Sequence, residues 1–126
     1  MSEHKTKPGT VNWFDLTVPN AEPIRDFYKA VVGWETSPAE MGGYSDFCMH
    51  PPEKDAAPVA GVCHARGSNA GIPAQWIMYV TVANLDESLK KVAELGGKVI
   101  NGPRNMGKNR FCIIQDPAGA VIGLFE

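Results

Sequence analysis

The tetrapeptide Thr17-Val18-Pro19-Asn20 returns 64 residues later as Thr81-Val82-Ala83-Asn84. Similarity at about half the length of a 126-residue chain means duplication within one domain rather than an array of small repeats. Each copy ends a run of β-formers and begins an amphipathic helix. In the first, Val11, Trp13, Phe14, Leu16 and Val18 make the strand. Pro19 stops it, Asn20 is placed to cap the next helix, and Glu22 and Pro23 fall in its first turn. Ile24, Phe27, Tyr28, Val31 and Val32 then lie on one helical face, and Gly33 supplies the left-handed stop.

The second copy follows the same plan. Residues 76–82 are aromatic and β-branched, Asn84 caps a helix with Glu87 three residues on, and Leu85, Leu89, Val92 and Leu95 form its buried stripe before Gly96-Gly97. Further strand-like segments are 44–50 and 59–65 in the first half, and 98–101, 111–115 and 121–125 in the second. Each half reads as β-α-β-β-β. The fold class expected is α+β: two βαβββ modules, 11–66 and 74–126, whose curved mixed sheets enclose a cavity. Helices on one face only leave the other face for a ligand. The Pro- and Gly-rich stretches 51–58 and 67–73 are linkers, the latter joining the halves.

Composition narrows the function classes. A net charge of −2 with scattered Lys and Arg gives no footprint for nucleic acid. No apolar run approaches the roughly 18 residues that span a bilayer. Residues 1–10 are polar and read as a flexible tail rather than a secretory signal. Three cysteines, Cys48, Cys63 and Cys112, with no close pair argue for reduced thiols and a cytoplasmic location.

Several short motifs then resemble one known family. Phe27-Tyr28 followed by Val32-Gly33-Trp34, Glu94-Leu95-Gly96-Gly97, and Asp116-Pro117-Ala118-Gly119-Ala120 are similar, in order and spacing, to signatures of the vicinal-oxygen-chelate superfamily, which is glyoxalase-, bleomycin-resistance- and extradiol-dioxygenase-like. The match covers nearly everything after Thr10. Gly71-Ile72-Pro73 with Trp76 and Tyr79, and Arg110-Phe111 with Gly119-Ala120-Val121, resemble a branch of small members without assigned reactions.

The resemblance implies a cation held from the first strand of each module and from the last strands. Here those positions fall on Trp13, Ile77, Gly123 and, in the stretch 59–64, Gly61. Indole, hydrocarbon and hydrogen donate no lone pair to a hard or borderline cation, so no metal and no cofactor is expected. The resemblance also implies a homodimer.

Strand alternation predicts the cavity lining: Trp13, Asp15 and Thr17 on the first strand, Ile77 and Tyr79 on its counterpart, with Phe111, Gly123 and Phe125 from the second module. Phe14, Leu16 and Val18 would pack beneath the first helix, and Met78 and Val80 face the second. Gly123 would leave room where relatives project a ligand. Asp15 is the sole catalytic candidate, as a general base or an anchor for a cationic or hydroxylated molecule. The simpler alternative is a carboxylate bonded to neighbouring backbone. His50 and His64, with Cys48 or Cys63, could build an unrelated metal site, though surface or loop histidines are the plainer reading. Cys112 reads as an inert core thiol. The function expected is binding of a small organic molecule in a metal-free cavity. The alternative is a metal-dependent lyase, epimerase or dioxygenase with non-standard ligands.

Overall fold

The computed structural model describes residues 7–126. The chain divides into two compact units, Phe14–Trp76 and Ile77–Glu126, the second joined by the stretch through Trp13. The first contains β1 (Val11–Val18) from Phe14 onward, α1 (Ala21–Val32), β2 (Glu35–Glu40), β3 (Ser45–His50) and β4 (Ala60–His64). Its strand order is β2-β3-β4-β1, with β1 parallel to β4 and the other pairs antiparallel. The second contains β5 (Trp76–Thr81) from Ile77 onward, α2 (Leu85–Glu94), β6 (Lys98–Met106), β7 (Asn109–Gln115) and β8 (Val121–Phe125), ordered β5-β8-β7-β6 with the same senses. The α+β fold with two βαβββ copies is thus as expected.

Alternation along the strands sends every second side chain beneath a helix. In the first unit Leu16, Val18, Phe47, Met49, Ala60 and Val62 form that core with Ala21, and Ile24, Tyr28, Trp34 and Trp76 pack against it. In the second, Leu85, Cys112, Ile114 and Leu124 do so, with Val82, Leu89, Val92 and Ile122. Fully burying one such aliphatic side chain contributes about 1.5–3 kcal/mol, so these two clusters set each helix on its sheet.

Asn84 caps α2 through Oδ1, which accepts from the Glu87 N–H at 3.0 Å. The Leu85 N–H donates to Glu126 Oε1 at 2.7 Å, and Arg110 clamps both carboxylate oxygens of Asp86 at 3.0 and 3.2 Å. Gly33 ends α1 at φ 87° with its N–H on the Lys29 carbonyl.

Several expectations need correction. Asn20 occupies the N-cap position of α1, but its side chain makes no capping bond. Strand β2 has no counterpart in the sequence reading, because Glu-Thr-Ser-Pro-Ala-Glu lacks a β-branched run; as an edge strand it tolerates Pro38. Strand β6 continues past residue 101, its pairing with β7 shifting register once between Val99 and Asn101 and again between Asn101 and Arg104, across Gly102 and Pro103. Leu95 is 73% exposed instead of buried, since α2 ends at Glu94. On α1, only Ile24 and Tyr28 of the apolar face reach the core; Phe27 and Val31 are 55% and 65% exposed. Phe14 and Met78 are also exposed rather than packed beneath a helix. At residues 9 and 10 the expected tail is pinned: Gly9 N–H donates to the Thr81 carbonyl and Thr81 N–H to that of Thr10. Residues 1–6 lie outside those described. Among the described residues no helix is long and apolar enough to cross a membrane.

Candidate functional site

In the first unit, the sheet face turned away from α1 brings together Asp15, Thr17, Cys48, Gly61 and Cys63. Asp15 lies opposite Gly61 and Thr17 opposite Cys63 across β1 and β4, while Cys48 lies opposite Gly61 across β3 and β4. Burial pushes the Cys48 and Cys63 thiols up, and the charges of Asp15 and Asp46 push further in the same direction. Both thiols are therefore protonated at neutral pH, weak hydrogen-bond donors rather than nucleophiles. Asp15 is half-buried and, like Trp13, interacts with neighbouring groups.

In the second unit, the sheet face turned away from α2 carries Ile77, Tyr79, Thr81, Phe111, Ile113, Gly123 and Phe125. Tyr79 lies opposite Gly123, Ile113 also opposite Gly123, and Phe111 opposite Phe125. All are buried, Tyr79 to 4% exposure, and the Tyr79 and Phe111 rings meet edge to face at 6.0 Å. The room expected beside Gly123 is taken: a Cβ at that position would overlap the Tyr79 ring, with Cγ only 2.8 Å away.

The duplication relates the two faces. Asp15 precedes Tyr79 by the repeat spacing, and each lies opposite a glycine of its unit's last strand, Gly61 or Gly123. One copy places a carboxylate there; the other places an aromatic ring that fills its own glycine's space.

His64 is not a surface residue. It is buried on the helix side of β4, with Nδ1 3.1 Å from Asp46 Oδ1 and Nε2 2.7 Å from Glu22 Oε1. His50 Nδ1 faces the Ala56 carbonyl at 2.9 Å, so in the neutral ring Nε2 accepts from the Ser37 hydroxyl at 2.6 Å. Cys112 is fully buried, and burial raises its thiol. Among the described residues, no three or more His, Cys, Asp and Glu side chains come together in a way that could hold a metal ion.

Two groupings have no counterpart in the sequence reading. One is the Glu22–His64–Asp46 chain, whose members carry no spacing signal because α1, β3 and β4 are brought together only by the fold. The other is an aromatic group of Tyr28, Trp34 and Trp76, with ring centroids 5.2–6.3 Å apart and Trp76 Nε1 donating to the Tyr28 hydroxyl at 3.1 Å. Tyr28 and Trp34 sit in the Phe27-Tyr28…Gly33-Trp34 motif, where they serve as fold markers.

Comparison with known proteins follows the same outline. A family model described as Glyoxalase/Bleomycin resistance protein/Dioxygenase superfamily matches residues 10–124. Anthracycline biosynthesis protein DnrV of Streptomyces peucetius is 31% identical over an alignment covering 94% of this chain and 47% of that protein. The chain thus spans about half the length of the curated relatives it matches. Among solved structures, a variant of Streptomyces coelicolor methylmalonyl-CoA epimerase in complex with 2-nitronate-propionyl-CoA aligns with TM-score 0.56 at 13% identity, covering 94% of each chain. A superfamily member from Vibrio splendidus 12B01 aligns with TM-score 0.55 at 11% identity, covering 89% of this chain and 94% of that one. At such identities the likeness is one of fold.

Proposed function

Because the chain belongs to the Glyoxalase/Bleomycin resistance protein/Dioxygenase superfamily, we propose that it binds a small organic molecule, and that a carboxylate rather than a chelated cation recognises it. The observation that carries this reading is the inequality of the two repeats. Asp15 faces Gly61 where Tyr79 faces, and fills in, Gly123.

A half-buried carboxylate accepts strongly from ammonium or hydroxyl groups. Asp15 therefore anchors the donor end of the ligand, and Thr17 and the protonated thiols of Cys48 and Cys63 surround it. Ile77, Tyr79, Phe111, Gly123 and Phe125, the rest of the expected set, are packed residues of the second unit. The donors present do not fit the cation that the family implies. Trp13, Ile77, Gly61 and Gly123 offer none, and a larger side chain at 123 would collide with Tyr79. This reading takes the thiols as reduced, as in the cytoplasm. It takes the chain as a homodimer, supported by Phe27 and Val31 exposed on α1.

The test is an NMR titration of the full chain with aromatic amines, aromatic alcohols and aromatic carboxylates. Amide shifts at Asp15, Thr17 and Cys63 with amines and alcohols, lost in Asp15→Asn for the amines, support the proposal. Shifts with carboxylates alone, or shifts indifferent to Asp15→Asn, contradict it.

A further inference from the structure

On the helix side of the first unit, away from Asp15, seven residues line an open cavity of about 300 Å³: Phe14, Tyr28, Val32, Trp34, Val59, Ala60 and Trp76. This is at the small end of the range for ligand pockets, about 300–1,000 Å³. We propose that it is a second ligand site, taking a neutral, flat aromatic molecule of two or three fused rings that carries a hydrogen-bond acceptor.

Three observations fix that chemistry. The walls are rings set nearly upright to one another: Tyr28 and Trp76 at 80°, Trp34 and Trp76 at 69°. Such walls offer both faces and edges to a flat guest, the arrangements aromatic pairs prefer. Among the described residues, no acidic or basic side chain lines the cavity, so a charged guest would lose hydration without gaining a partner there. A cation would find indole faces but no carboxylate at the wall. The polar side-chain atoms of the lining are the Nε1 of Trp34, the Nε1 of Trp76 and the Tyr28 hydroxyl. The Trp76 N–H is spent on the hydroxyl oxygen at 3.1 Å, which leaves the Tyr28 O–H and the Trp34 N–H as the donors for a carbonyl, ether or phenolic oxygen of the guest. Phe14, Val32 and Val59 are exposed at the rim, so burial of their apolar surface favours occupation.

This site is independent of the proposed one. It lies on the opposite sheet face, beside Leu16 and Val62 rather than Asp15 and Cys63. The probe is 2-naphthol, titrated into the full chain and followed by the methyl signals of Val32, Val59 and Ala60. The expected result is saturable shifts at these methyls, with the amides of Thr17, Cys48 and Cys63 unmoved. Binding should weaken at least ten-fold in Val32→Trp, which fills the cavity from its exposed rim. Val59→Phe serves the same purpose should Val32→Trp fail to fold. Absence of saturable shifts, equal binding by the filled variants, or tighter binding of benzyltrimethylammonium than of 2-naphthol overturns the proposal. So does a dependence of these methyl signals on protein concentration alone, which would give the cavity to a second copy of the chain.

Discussion

The Tyr79 ring lies where a side chain at Gly123 would have to go. The two residues are register partners on parallel strands β5 and β8, and a Cβ at 123 would stand 2.8 Å from Tyr79 Cγ. Glycine here is a packing requirement, set by the close approach of a ring rather than by a turn. Gly123→Ala should therefore cost about 1–3 kcal/mol by overpacking. In a Tyr79→Leu background the same change should cost clearly less. Chemical denaturation of the four proteins of this cycle measures the coupling; additive effects would mean that the ring and the glycine do not constrain one another.

A second glycine is held by backbone. A Cβ at Gly97 would lie 2.7 Å from the Gln115 carbonyl oxygen and 3.0 Å from Val92 Cγ1, and neither the strand nor the helix can easily withdraw. Gly97→Ala should destabilise by about 1–3 kcal/mol, read from the denaturation midpoint. Gly71→Ala is the contrast: no atom is within 4 Å, and any cost comes from its φ of 88° alone.

The two helix starts should respond differently to the same change. Asn84→Ala removes a capping bond and should cost about 1 kcal/mol. Asn20→Ala removes no side-chain bond and should cost distinctly less. Thermal denaturation of both variants gives the comparison.

Most of the fold was readable in the letters, and these caps show how far that reading reaches. Offset, helix stops and the alternation of β1 and β5 follow from local chemistry, and they put Asp15 with Thr17 on one strand face and Ile77 with Tyr79 on another. The letters carry less where neighbours decide the outcome. Asn20 is a good capping residue whose bond depends on loop geometry, and β2 pairs at an edge with Thr36 as its single β-branched residue. Gly123 read as space because its occupant belongs to another strand. His64 read as a loop residue because Glu22 and Asp46 come from elements far away in the chain.

The thiols report on Asp15. Burial first, then Asp15 and Asp46, raise Cys63, and the same causes raise Cys48. With iodoacetamide at pH 8, both should be alkylated about ten-fold or more slowly in the folded protein than in urea, as the reactive thiolate is depleted. Asp15→Asn should speed Cys63 without altering Cys112. Equal rates in the folded wild type and Asp15→Asn would separate Asp15 from the thiols.

Arg110 holds the Asp86 carboxyl below its ordinary value of 3.8, through hydrogen bonds first and charge second. A carboxylate lowered on folding stabilises the fold above its unfolded value, and the contribution is lost as pH falls below about 3.8 through the folded value. Arg110→Gln should raise the Asp86 titration toward the ordinary range and flatten stability against pH in that acid window. Carboxyl-carbon NMR of Asp86 reads the first effect and denaturation series between acid and neutral pH read the second.

The account turns on recognition without a chelated ion, and metal content tests it most directly. The full chain, purified without chelator, is analysed by inductively coupled plasma mass spectrometry. Manganese, iron, cobalt, nickel and zinc well below one equivalent per chain are predicted, unchanged in Asp15→Asn. One equivalent of any of them, lost in Asp15→Asn, would contradict it.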